Sequence, residues 1–392
     1  MSLEASLYVH VPFCAQKCGY CDFYSVPVKP PNPPDLSRDP RAGDPGLKQY
    51  VKTLLAEGEG LFERFRPSAV PSVYIGGGTP SLLGPGGIGA LLGGLSKIIS
   101  RYSPPPVEIT VEANPESADE AFMEAARKAG ATRFSLGIQS FSAASRRAIG
   151  RAGEERFLSG CLALAAAYFP GSFSVDLISG LPLQGRRDLL DDIAKVLDYS
   201  PAHVSLYALT VEAGTPLAEK AQPEAEDLGL EGRDALERAG YAQYEVSNFC
   251  LKGKESLHNI RYWRMQSWLA LGPSASATVI DDNDAGKSFR YTIPPDVDTW
   301  LAAQGNPVPI VEKLDKNTLI KESLLMGFRY LEGPDEDLFL RRFGRSIREL
   351  ITGTMNSRQG HLKNGKCALT KDGLLFLNSF LVEAFQELDL LK

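Results

Sequence analysis

The chain has 392 residues, 43% of them apolar and 23% charged, with a net charge of −6 and four histidines. That length fits one large domain plus a smaller one, or roughly two to three ordinary ones, with apolar surface enough for a sizeable core. The acidic balance argues against a nucleic-acid-binding face. No apolar run nears the ~18–20 residues that span a bilayer. The start, MSLEASLYVHVPF, has neither the basic nor the apolar segment of a secretory leader, so the expected compartment is a reducing cytoplasm.

In chain order, β-branched runs at 7–13, 72–78, 107–115, 133–141, 173–182 and 203–210 read as strands. Between them, 47–65, 86–101, 117–129, 154–168 and 186–198 carry helical apolar spacing. Repeated strand–helix alternation predicts an α/β fold of parallel strands, closed as a partial (β/α) barrel; a doubly wound sheet is the alternative. Both collect ligands at the carboxyl ends of the strands. Residues 26–46 are proline-rich and read as an exposed loop. From about 215 the pattern changes: 225–240 reads as a helix and 241–249 as a strand. The last part is mainly helical, with 317–330 and 370–385 clearest and a hairpin-like 360–370 that gives a winged-helix-like end.

Three of the six cysteines stand as C-x3-C-x2-C at Cys14, Cys18 and Cys21, just past the first strand. Pro12 and Gly19 favour a loop that wraps a compact guest. A structural zinc wants four ligands, and Cys161, Cys250 and Cys367 are isolated. A disulfide framework wants an even number. A four-iron cluster is normally held by four thiolates, so three would leave one iron open. Other chemistry-bearing residues cluster at strand ends: the glycines of GGGTP (76–80), Glu112, Gln139 and Asp176. Glycines allow close backbone approach to a charged guest, and a carboxylate on an apolar strand needs a partner.

The cysteine loop resembles the signature of the radical S-adenosylmethionine (SAM) superfamily. The resemblance implies a [4Fe–4S] cluster whose open iron chelates SAM, and a partial (β/α)6 barrel over 1–250. YVHVPFC, IGGGTP, VEANP, GIQSF and DLISGLP match, in order, the group containing HemN-type coproporphyrinogen III dehydrogenases and HemW-type haem chaperones. That group implies that Tyr8, Gly77, Gly78, Thr79, Glu112, Gln139, Arg151 and Asp176 line the SAM site, with Tyr20 near the adenine. It also implies a C-terminal domain of the HemN/HemW kind over 251–392. One departure is Gly153, where relatives often carry a histidine.

The two branches differ in activity. HemN-type enzymes use a 5′-deoxyadenosyl radical to decarboxylate porphyrinogen propionates, and carry a fourth cysteine two residues past the third. Here that position is Phe23, and the first strand starts near Leu7 without an N-terminal extension; both features resemble HemW, so enzymatic porphyrinogen oxidation is in doubt. His258-Asn259-x-x-Tyr262-Trp263 matches the H-N-x-x-Y-W pattern of HemW-type proteins. Imidazole and aromatic rings suit haem, so His258, Tyr262 and Trp263 are candidate haem contacts, while His10 supports the cysteine loop or SAM. The expectation is a cytoplasmic haem chaperone that passes haem to respiratory acceptor proteins, with at most peripheral membrane contact. The motifs are silent on a homodimer.

Overall fold

The computed structural model describes residues 3–28, 45–151, 153–211, 215, 217 and 225–390. Most of the proline-rich stretch lies outside them. Six strands, β1 (Ser6–Val11), β2 (Ser72–Gly77), β3 (Glu108–Ala113), β4 (Arg133–Gln139), β5 (Phe173–Ser179) and β6 (His203–Ala208), pair in parallel and in chain order. A doubly wound sheet would reverse its order at a switch point; this one does not, and the partial barrel is the outcome. The crossovers carry α1 (Pro45–Phe65), α2 (Gly84–Ile99), α3 (Glu120–Lys128), α4 (Ala143–Ala148), α5 (Glu155–Tyr168), α6 (Arg186–Leu197) and, after β6, α7 (Ala225–Arg238).

The period of two along each strand splits its side chains between helices and barrel interior. Leu7, Val9 and Val11, Val73 and Ile75, Phe134, Leu136 and Ile138, and Val175 and Leu177 join the helices in one core. The other face is polar: Ser6 bonds Ser72 (2.8 Å), Ser174 bonds Ser135 (2.8 Å), and Tyr74 bonds Glu112. A polar interior in a barrel wall is costly unless it is mutually satisfied or serves a ligand.

The stretch 241–249, expected as one strand, forms two: β7 (Ala242–Gln243) and β8 (Asn248–Cys250), paired antiparallel. Glu245 causes the break, because its buried carboxylate accepts from the Ser247 amide (3.1 Å) and turns the chain. Beyond residue 250 come α8 (Leu257–Trp263) and four strands not among the expected elements. They are β9 (Trp268–Leu271), β10 (Ser276–Val279), β11 (Phe289–Thr292) and β12 (Ile310–Lys313). β9 pairs in parallel with β1, Ser6 opposite Trp268, and the other three extend the sheet as an antiparallel meander. Between β11 and β12 lies α9 (Val297–Ala302).

The final part is helical, with α10 (Lys316–Gly327), α11 (Glu336–Phe343), α12 (Ile347–Leu350), α13 (Thr352–Ser357) and α14 (Leu377–Leu390) around a second core of Leu324, Phe328, Phe343 and Phe380. The expected hairpin at 360–370 shrinks to one bridge, Leu362 to Leu369. Contrary to the apolar-run reading, Pro80–Ile99 has the length and mean hydropathy (1.4) to cross a membrane. Its leucines and isoleucines raise that mean, and of these Ile88, Leu91, Leu92, Leu95 and Ile98 are buried in the barrel core.

Candidate SAM and cluster site

The cysteines occupy the loop that follows β1. A short parallel ladder, Phe13–Cys14 with Val26–Pro27, folds the loop back on itself. The Gly19 amide donates to Ile149 O (3.0 Å), and the Leu217 amide donates to Gly19 O (3.1 Å), so the loop is tied to both sides of the barrel mouth. All three thiols are free and half-buried. Among the described residues, no three His, Cys, Asp or Glu side chains are grouped to hold a single metal ion.

Inside the barrel wall, His10 supports this loop. Its Nε2 lies 3.0 Å from the Tyr24 carbonyl, which can only accept, so Nε2 carries the proton and Nδ1 accepts from the Tyr8 hydroxyl (2.9 Å). Tyr8 thus meets His10 rather than the cavity.

The strand ends and the cysteine loop line an open cavity of about 360 Å³. Cys14, Cys18, Cys21, Tyr20, Gly77, Gly78, Thr79, Glu112, Gln139, Arg151 and Asp176 all line it, although they come from the cysteine loop, the strands β2 to β5 with their ends and, for Arg151, the α4–α5 connection.

The three glycines of the β2 end each make room for something different. A Cβ on Gly76 would sit 2.8 Å from Glu112 Oε2, and one on Gly77 2.5 Å from His10 Nδ1. One on Gly78 would sit 2.6 Å from the Phe13 carbonyl of the cysteine loop. Gly77 also has φ of +106°, which favours glycine.

Glu112 is the half-buried carboxylate at the centre. Tyr74 donates to its Oε1 at 2.5 Å. Burial pushes its acidity to about pKa 7, and the neighbouring Asp176 adds to the rise, while the Tyr74 and Gly77 hydrogen bonds oppose it. Burial also raises Asp176, against hydrogen bonds from Ser205 and Ser135. Two half-buried carboxylates facing one cavity favour a cationic guest.

Gln139 stands at a register shift between Gly137 and itself, with φ of +66°. Its Oε1 is buried with no partner, so the bulge leaves an unsatisfied acceptor in the cavity wall. Asp192 holds the loop beyond it, accepting from Ser140 Oγ (2.5 Å) and the Phe141 amide (2.7 Å).

Arg151 donates to Asn114 Oδ1 and the Gly137 carbonyl (both 3.0 Å) and reaches the Tyr20 hydroxyl at 3.4 Å. Asn114 Nδ2 donates to Thr79 Oγ1 (3.1 Å), and Thr79 Oγ1 lies 3.6 Å from Cys14 Sγ. A polar relay therefore joins Arg151 to the first thiol. Residue spacing shows neither Tyr74 nor Asn114 nor Asp192 as functional. Strand alternation does put Tyr74 on the face of Gly76, and that is the signal by which it could be found.

His258, Tyr262 and Trp263 are not brought to this cavity. They lie on α8, which closes the opposite, amino-terminal end of the barrel. His258 is 1% exposed, and its Nδ1 bonds Ser72 Oγ (2.9 Å). Tyr262 meets it edge-on at 4.7 Å. In this arrangement a macrocycle has no access to the imidazole, because strand β2 and Tyr262 enclose it.

The site's donor set fits a cluster with SAM. Three half-buried thiols share a cavity with a half-buried carboxylate lacking a cation, an unpartnered amide oxygen and a glycine cradle that a side chain would fill. A profile described as the radical SAM superfamily matches residues 8–196. Over 341 residues the chain is 35% identical to the radical S-adenosyl methionine domain-containing protein 1, mitochondrial, of Mus musculus, covering 84% of this chain and 74% of that protein. Over 387 residues it is 30% identical to the heme chaperone HemW of Escherichia coli (strain K12), covering 96% and 97%. The solved coproporphyrinogen III oxidase (HemN) of Escherichia coli shares the fold, with a TM-score of 0.78 at 19% identity over 98% of this chain and 90% of that one.

Proposed function

The chain belongs to the radical SAM superfamily, in its HemW- and HemN-like branch, and we propose that it is a haem chaperone that binds haem and delivers it to acceptor proteins. The family implies a [4Fe–4S] cluster and SAM. The observation that carries the chaperone reading is the end-to-end likeness to a HemW protein, which leaves neither chain with a large unmatched part. Phe23 supports it: at the position where the dehydrogenases carry a fourth thiol, an exposed phenyl ring borders the cavity. The reading carries with it a cytoplasmic location, respiratory acceptors and at most peripheral contact with their membrane.

Cys14, Cys18 and Cys21 would hold three irons and leave the fourth to SAM. When bound, the pair supplies one-electron reductive cleavage of the sulfonium bond. The chain's own residues bind and orient. Glu112 receives the ammonium group, and a charge-assisted bond there offsets the cost of its burial. The Gly77–Gly78 backbone approaches the amino-acid moiety closely. Arg151, fixed by Asn114 and Gly137, holds a positive charge beside the carboxylate. Gln139 Oε1 and Asp176 offer acceptors, and Tyr20 with Phe23 screens the mouth from water.

The test is an anaerobic assay of the reconstituted protein offered SAM, reductant, haem and coproporphyrinogen III together. A saturable haem spectral shift without protoporphyrinogen is expected. Turnover of coproporphyrinogen would replace the chaperone reading with the dehydrogenase.

A further inference from the structure

The H-N-x-x-Y-W segment is the most distinctive motif that the cavity does not use. Its His258 is buried, while Asn259, Tyr262 and Trp263 are half-buried. The amides of Leu257 and His258 donate to the Glu108 carboxylate at 2.9 and 3.0 Å, which pins the start of α8 to β3. His258 Nδ1 bonds Ser72 Oγ, and Ser72 bonds Ser6, so the imidazole is tied to β2 and β1. Tyr262 lies edge-on between His258 and Trp268, with centroids 4.7 and 4.8 Å away, and so joins α8 to β9.

Above the imidazole lies Tyr74. The two rings are 5.0 Å apart and 30° from parallel. Ser72 and Tyr74 are two residues apart on β2 and share its inner face, so the strand that bonds His258 also presents the ring that rests on it. From there the Tyr74 hydroxyl reaches up to Glu112 Oε1. His258 supports the Tyr74 ring from below, and Tyr8 lies alongside at 6.4 Å. The hydroxyl therefore fixes which carboxylate oxygen remains for a guest.

We infer that the H-N-x-x-Y-W segment is the floor of the SAM site, in which His258 seats Tyr74 and Tyr74 orients Glu112 toward the ammonium group. His258 and Tyr74 are positioning residues, and the motif acts from the opposite end of the barrel through one intervening ring. This rests on the proposed role of Glu112 as the ammonium partner.

The experiment uses anaerobically reconstituted protein and equilibrium dialysis with two probes: SAM, and 5′-methylthioadenosine, which lacks the amino-acid moiety. Tyr74→Phe keeps the ring and removes the hydroxyl. It is expected to weaken SAM about three- to tenfold and leave methylthioadenosine unchanged. Ser72→Ala and His258→Leu should show the same selective pattern, with haem titrations like the wild type. Glu112→Gln serves as the reference. If it binds SAM normally, the ammonium assignment itself fails. If it loses SAM while Tyr74→Phe does not, the floor inference alone fails. Equal loss of both probes in Tyr74→Phe would mean general loosening and would also overturn it. So would a His258→Leu protein that loses haem yet keeps SAM.

Discussion

Glu57 on α1 shows how one buried carboxylate couples distant segments. Its Oε2 accepts both the Gly272 amide (3.0 Å) and Trp300 Nε1 (2.9 Å), which ties α1 to the end of β9 and to α9. Burial raises its pKa from 4.5 to about 7, against those two hydrogen bonds. The folded state therefore holds a proton that the unfolded state releases near pH 4.5. The associated stability is full below that pH and is lost as the pH rises through about 7. A gap of that size corresponds to roughly 3 kcal/mol. Glu57→Gln retains an acceptor for both donors and does not titrate. Urea unfolding at pH 4.5 and pH 8 should therefore show wild type losing roughly 3 kcal/mol relative to the variant. Parallel pH dependence in the two proteins would refute this.

At the scale of an element, the end of β2 does two separable jobs on neighbouring residues. Gly78 abuts the backbone of the cysteine loop, where a Cβ would lie 2.6 Å from the Phe13 carbonyl and 2.9 Å from the Val11 carbonyl. Backbone atoms cannot swing aside as a side chain can, so the loop must shift. Gly76 abuts the Glu112 carboxylate instead. Gly78→Ala is expected to lower iron loading on anaerobic reconstitution several-fold with the far-ultraviolet spectrum intact. Gly76→Ala should keep its iron and bind SAM at least several-fold more weakly. Iron assay and dialysis on both proteins check this, and identical defects would contradict the division of labour.

For the whole molecule, the proposed cluster ligands come from a single loop, whereas the proposed SAM residues come from four strands and the α4–α5 connection. Iron loading is thus a local property, and Cys14→Ser should reduce the expected load of about four irons per chain to near zero without unfolding the barrel. On the proposed reading SAM would instead bridge strands that otherwise hold two mutually repelling, half-buried carboxylates. Binding to the folded state alone stabilises it by about 2.7 kcal/mol at a hundredfold excess over Kd. The calorimetric midpoint of the reconstituted protein should climb with the logarithm of SAM concentration. A midpoint indifferent to SAM would count against a guest that spans the strands.

The cysteine loop, the six barrel strands, their helices and most of the cavity lining were legible in the amino-acid order alone. Those features are written in short periods: thiols three and four residues apart, alternation of two along β1 and β4, glycines at one strand end. Local spacing is enough where the physics is local. Only the tertiary structure decided where His258 sits, because its partner Ser72 is 186 residues away and a histidine among aromatics reads alike at a surface or beneath a barrel. The pairing of β9 onto the open edge of β1 was equally hidden, since WLAL reads as an apolar run until the free hydrogen bonds of Ser6–Val11 give it a partner. The turn at Glu245 and the support given by Asp192 follow the same rule: a carboxylate's role is set by which amides the fold brings to it.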